Sequence, residues 1–202
     1  MNVNTINRSA IGFLELKGAA YGVTAVDVTV KAAPIEILQA KVACPGKFMV
    51  LLAGEMAAVE TAVAAARAQV GSGLYDYCIL GRIHPALYRG LHDQFTDRLQ
   101  EQSELSRGNH EALGVVETLS IASGLASADI GLKSAAVTLK ELRLGYALGG
   151  RSFFVFAGNT GDVEAALASA VKVAVRRGSL GSQCLIARPA ERLKRLFPDS
   201  QF

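Results

Sequence analysis

The chain has 202 residues, a formal net charge of +3, half of its residues hydrophobic and no tryptophan. So weak a positive balance, with no lysine and arginine run interleaved with aromatics, argues against nucleic acid as a partner. No stretch approaches the ~20 apolar residues of a membrane-spanning helix, and the polar segment Met1–Ser9 lacks the apolar core of a signal peptide.

The first predicted element is a strand over 11–16, a short apolar run with Glu15 near its end. Val23, Val26, Val30 and Ala33 then recur at helical spacing, and Pro34 stops that helix. Residues 35–42 and 47–53 read as two strands around the turn Cys44-Pro45-Gly46. A second helix near 56–70 carries Val59, Val63, Ala66 and Val70 on one face. A closing strand over 75–83 stops at Pro85, with a short helix expected beyond it. The polar stretch from Asp93 to Glu111, containing Arg107-Gly108-Asn109, reads as a linker.

The series then begins again. Ala10-Ile-Gly-Phe-Leu-Glu-Leu returns as Ala112-Leu-Gly-Val-Val-Glu-Thr, and Asp27-Val-Thr-Val-Lys31 returns as Asp129-Ile-Gly-Leu-Lys133, each 102 positions later. The helical stripe returns as Leu125, Ala128, Leu132 and Ala135. Beyond the turn the offset grows to 104, so that Ala53-Gly54 becomes Ala157-Gly158. A strand over 152–157, a helix with Val163, Leu167, Ala170 and Ala174 on one face, and a strand over 183–187 stopped by Pro189 complete the copy. The basic end, with Arg192, Lys194 and Arg195, suits the solvated face of a terminal helix. The expected organisation is therefore a domain over 9–92, a linker over 93–110 and a second domain over 111–202. Each domain is α+β, in the β-α-β-β-α-β order of ferredoxin-like folds. That order alone says little about activity.

Catalytic signatures are missing. There is no Gly-x-Ser-x-Gly elbow, no Cys-x-x-Cys and no His-Glu-x-x-His, and the Gly71-Ser72-Gly73 run lacks the spacing of a dinucleotide fingerprint. His84, His92 and His110 fall at a strand end or in polar connections, where surface roles are expected. Three cysteines, odd in number and widely spaced, make no disulfide framework and suit a reducing, cytoplasmic compartment. Cys78 and Cys184 sit at equivalent points of an apolar strand and are expected in the core. Cys44 is different, because the second copy has no cysteine in its turn. Glu15 and Glu117 are a repeated pair, for which repetition argues a structural or interface role.

The chain resembles the tandem-domain shell proteins of bacterial microcompartments. The motifs that carry the likeness are Ala10-Ile-Gly-Phe-Leu-Glu-Leu, Asp27-Val-Thr-Val-Lys31-Ala-Ala, Cys44-Pro45-Gly46-Lys47-Phe48, the Ala53-Gly54 strand end and Arg82-Ile-His-Pro85. The resemblance implies a disc-shaped homotrimer with pseudo-sixfold symmetry, tiling edge to edge with other shell proteins around enclosed enzymes, and no catalytic activity of its own. It places the turn between the second and third strands at a central pore. Ala43, Cys44, Pro45 and Gly46 would line that pore in one copy, and Ala147, Leu148, Gly149 and Gly150 in the other. Lys31 and Lys133, with Arg82 and Arg188, match residues at contacts between neighbouring discs.

The likeness is closest to the propanediol-utilisation type, whose Cys-Pro-Gly-Lys-Phe turn implies one [4Fe-4S] cluster held on the threefold axis by Cys44 of each chain. A cubane cluster ordinarily takes four thiolates, so three would leave one iron open to an external ligand. Lys47 is expected to offset part of the negative charge of converging thiolates. Such a cluster would pass electrons across the shell, to or from enclosed redox enzymes, or be delivered through it. Two other readings stand beside it: the same tile as a selective metabolite pore with Cys44 a free thiol, and a small-molecule sensor built on a duplicated domain. The repeated lysine and arginine positions argue against the sensor, which needs no matched edges.

Overall fold

A computed structural model describes residues 10–95, 111–145 and 148–194. Among the described residues, eight strands and six helices follow one another as β1 (Ala10–Leu16), α1 (Ala19–Ala32), β2 (Glu36–Ala43), β3 (Lys47–Gly54), α2 (Met56–Val70), β4 (Leu74–Gly81) and α3 (Pro85–Phe95), then β5 (Ala112–Thr118), α4 (Ile121–Ser134), β6 (Thr138–Leu144), β7 (Ser152–Gly158), α5 (Thr160–Arg176), β8 (Leu180–Ala187) and α6 (Glu191–Lys194). A short 3₁₀ turn, Gly71–Gly73, joins α2 to β4.

Two four-stranded antiparallel sheets result, ordered β2-β3-β1-β4 and β6-β7-β5-β8. This is the ferredoxin-like order the sequence predicts, in both copies. Even the irregularities repeat. Register shifts fall between Glu15 and Leu16 and between Glu117 and Thr118. The β2–β3 register skips Leu38 at a bulge, and the β6–β7 register skips its equivalent, Lys140.

The first unit spans residues 1–83 and the second 84–202. In the first unit α1 and α2 pack on one face of the sheet, where Leu14, Leu16, Val50 and Leu52 meet Val59, Val63 and Val70. β1 is buried along its whole length. In the second unit α4 and α5 do the same for β5 and β7. The opposite face of that sheet carries a smaller cluster of Leu113, Val155 and Ala157, onto which Ile186 and the α6 residue Leu193 pack. Helix α3, expected from the sequence at the end of the first copy, has its contacts in the second unit, against β6 and α4.

The helix ends differ between copies. Ser120 accepts a hydrogen bond from the Ser123 N–H at the start of α4, and Asn159 accepts one from the Asp162 N–H at the start of α5. Gly18 and Glu55, in the matching positions, cap with no side chain. Both first helices stop at an extended alanine, Ala33 or Ala135. Pro34 accounts for the first stop by disfavouring helical geometry in the residue before it. The second stops without a proline, because Ala136 follows.

The helical stripe read from the sequence gives opposite results in the two copies. Leu125, Ala128 and Leu132 are buried, but Val23 and Val30 are 64% and 50% exposed. The residues that α1 buries are Gly22, Ala25 and Thr29. A second correction concerns the cysteines. Cys78 is in the core as expected, whereas Cys184 is exposed. Both face away from the helices, opposite Phe13 and Val115 respectively. Phe13 is buried, but Val115 is only half-buried, so that face of the second sheet is more open around Cys184.

Candidate functional site

The turn between β2 and β3 is a short hairpin. Ala43 pairs with Lys47, leaving only Cys44, Pro45 and Gly46 between them. All three are exposed, and Ala43 beneath them is buried. Gly46 sits at φ +68, a left-handed conformation that glycine adopts without the steric cost of a side chain. The Cys44–Pro45 peptide is cis. Cys44 is thus a free thiol at the tip of a hairpin.

The base of this turn is held by an ion pair. Lys47 Nζ lies 2.6 Å from Glu15 Oε1, with the lysine side chain 11% exposed and the glutamate 0%. The same ammonium stands 3.5 Å from the centre of the Tyr75 ring, within cation–π range. Lys47 therefore points back into the sheet and the ring rather than toward the thiol it was expected to neutralise. Composition and spacing did not reveal this pairing, although the repeated glutamate was its signal. In the second copy Arg151 Nη1 pairs with Glu117 Oε1 at 3.2 Å, and Ser182 donates to Glu117 Oε2.

The equivalent loop is longer. The Gly145 N–H donates to the Arg151 carbonyl at 2.8 Å, taking the place of the Ala43–Lys47 pair and leaving five residues at the tip where the first copy has three. Leu148 and Arg151 are linked across it by a 3.2 Å backbone bond, and Gly149 and Gly150 have φ of +60 and +77. Leu148 is half-buried, Gly149 exposed and Gly150 buried. Ala147, named from the sequence as a lining residue, lies outside the described residues.

The four expected edge residues occupy matched places. Lys31 closes α1 and pairs with Asp27 one turn back at 2.6 Å, and Lys133 pairs with Asp129 in the same way on α4. Asp129 differs from Asp27 in being buried, and its Oδ1 accepts the His84 N–H at 2.8 Å. His84 also accepts the Ala86 N–H through Nδ1, so that its ring caps α3. Burial holds the His84 ring below its ordinary value, opposed by the charge of Asp129 and reinforced by Lys133 and Arg89. Arg82 and Arg188 end the closing strands with positive φ, 44 and 53, the two non-glycine residues so placed among the described residues. His92 lies on α3, and His110 lies outside the described residues.

No described group of three or more histidine, cysteine or acidic side chains could hold a metal within one chain. No described helix is long and apolar enough to cross a membrane.

The BMC domain model matches residues 10–83 and again 112–189, and the chain belongs to that family, the shell proteins of bacterial microcompartments. It is 33% identical over 186 residues to the bacterial microcompartment shell protein PduT of Citrobacter freundii, covering 92% of this chain and 96% of that one. A microcompartments protein from Desulfitobacterium hafniense has 35% identity and a TM-score of 0.73, over 92% of this chain and 98% of its own. A fused permuted hexameric shell protein, MSM0275 from the RMM microcompartment, shares the fold with a TM-score of 0.57 at 20% identity, over 82% and 81%. The protein is a microcompartment shell component with two BMC domains, PduT-like and not an enzyme.

Proposed function

We propose that this shell protein forms a homotrimeric tile in which Cys44 of three chains converges on a central pore and holds one [4Fe-4S] cluster. The observation that carries the reading is the asymmetry of the turns. One copy offers an exposed cysteine at a three-residue tip, and the other offers a cysteine-free, glycine-rich loop. A threefold axis would then gather three thiolates rather than six.

The donor set fits the group. Soft thiolates suit iron–sulfur clusters, and among the described residues no group of a single chain supplies the further ligands that would make a site alone. When bound, the cluster supplies one-electron transfer, and three protein thiolates leave it one position for an external ligand. The chain's own contribution is positional. Ala43 and Lys47 close the hairpin, and the Glu15–Lys47 pair with the Tyr75 ring fixes its base, so the thiol is presented from a braced support. Since Lys47 is engaged there, converging thiolates repel unless metal neutralises them or they stay protonated. Ala43, Pro45, Gly46, Ala147, Leu148, Gly149 and Gly150 line the remainder of the pore in this reading. Lys31, Lys133, Arg82 and Arg188 face neighbouring tiles. Enclosed redox enzymes are the partners such a cluster would serve.

The test is anaerobic purification or reconstitution, with iron, acid-labile sulfide and visible charge-transfer absorbance measured beside Cys44→Ser and Cys184→Ser. One cluster per trimer, lost in Cys44→Ser and kept in Cys184→Ser, is the expected result. An iron-free, colourless wild type after reconstitution would defeat the cluster and leave a metabolite pore lined by a free thiol.

A further inference from the structure

We propose that His84 is a pH-sensitive latch on α3: uncharged, it caps the helix and holds it against α4 and β6, and on gaining a proton it lets the helix go. The latch works whether or not Cys44 holds a cluster.

The start of α3 is built from three residues. Pro85 takes the first helical position, where its missing N–H costs nothing and its fixed φ suits the helix. His84 stands in the cap position before it, and its Nδ1 accepts the Ala86 N–H at 3.2 Å. The His84 carbonyl accepts the Tyr88 N–H at 3.0 Å and so opens the helical ladder. Its own N–H donates to Asp129 Oδ1 at 2.8 Å, which ties the cap to a buried carboxylate on α4. One residue thus both starts α3 and anchors it. The anchor matters because α3 has only 11 residues, too few to persist in water on propensity alone. The helix persists by burying Leu87 and Leu91 and by lying against α4 and β6.

Serine, threonine, aspartate and asparagine are the usual caps, and α4 and α5 use Ser120 and Asn159. An imidazole differs from these in one respect. Protonation turns Nδ1 from an acceptor into a donor, which then faces the Ala86 N–H donor to donor. The new charge also lies at the positive end of the α3 dipole. Burial opposes that charge most. Asp129 favours it, but its Oδ2 is already engaged by Lys133, and Lys133 on α4 and Arg89 on α3 oppose it. The other element against α3, β6, carries Lys140, Glu141 and Arg143, of which Glu141 and Arg143 pair with each other. The docked ring is held below its ordinary 6.5. A released ring regains that value, so the released form binds the proton more readily. Docking is therefore complete above pH 6.5 and is lost as pH falls from there through the docked value.

The experiment is hydrogen–deuterium exchange of the full chain, read by mass spectrometry from about pH 7.5 to about pH 5 and corrected for the intrinsic pH dependence of amide exchange. Wild-type α3 should lose protection by about fivefold across that range, the equivalent of one helix cap, while α5 keeps its own. His84→Asn retains an acceptor that does not titrate, and should hold α3 protection level. His84→Ala should show the lower protection at every pH. Wild-type protection that does not change with pH would overturn the latch. A His84→Asn variant that loses as much as the wild type would also overturn it, because another group would then be titrating. A loss shared equally by α5 would do the same, since the whole second unit would then be opening.

Discussion

The ion pairs beneath the two turns use equivalent residues and do different work. Glu15 and Lys47 are sequestered beside an aromatic ring, and Glu117 and Arg151 stand open to solvent with Ser182 as their neighbour. A buried pair cannot lose one member cheaply, because the other charge is left in a poor solvent. An exposed pair can, because water replaces it. The copy that carries the cysteine is therefore the one whose turn has a braced base. Duplication let the two hairpins diverge in the contacts at their base as well as in sequence.

The largest effect that would break this contrast is at the glutamates. Glu15→Gln should cost about 3 kcal/mol in urea unfolding, and Glu117→Gln less than about 1 kcal/mol. Equal losses would show that the two pairs are equivalent after all.

Next come the glycines where a first helix approaches its sheet. A Cβ on Gly22 would meet the Phe48 ring at 2.1 Å, and one on Gly124 would meet Ser152 Oγ at 1.9 Å. Each alanine substitution should destabilise by roughly 1–3 kcal/mol through overpacking. Gly124→Ala should be the worse of the two, since displacing Ser152 also breaks its 2.8 Å hydrogen bond with Thr118. Matched midpoint shifts in thermal unfolding would show instead that the hydrogen bond contributes nothing.

The smallest effect sharpens the comparison at the matching bulges, where Leu38 in one copy corresponds to Lys140 in the other. Burial pushes the Lys140 amine from 10.5 down to about 8. A base whose pKa falls on folding binds fewer protons in the native state between those two values. Its contribution to stability therefore rises from pH 8 to 10.5 and is lost as pH falls through that window. Lys140→Leu should accordingly stabilise the protein by about 1 kcal/mol near pH 7.5, with its advantage over the wild type shrinking toward pH 10.5. A gap independent of pH would remove burial of the amine as its cause.

Much of this architecture was legible in the sequence. The repeat, the element order and the cysteine turn all follow from local spacing, which is what strands, helices and hairpins encode. Burial was less legible. Val23 and Leu125 occupy the same place in the same pattern, as do Cys78 and Cys184, yet their surroundings differ. A pattern names the face a residue is on, and what covers that face is decided by segments far away in the chain. The Glu15–Lys47 pair was hidden for the same reason, being 32 residues apart and joined only through adjacent strands. A helix after Pro85 was legible, but the placement of α3 with the second unit could not be read from local spacing.

The backbone at Arg82 and Arg188 has a practical consequence for testing the proposed edge contacts. Their left-handed backbone costs a residue with a side chain about 1–2 kcal/mol, and that cost recurs at the end of both closing strands. Alanine would keep the penalty while deleting the guanidinium, mixing two effects in one measurement. Glycine deletes the same group and relaxes the backbone, so a loss of assembly in a glycine variant that folds more stably than its parent would belong to the side chain alone.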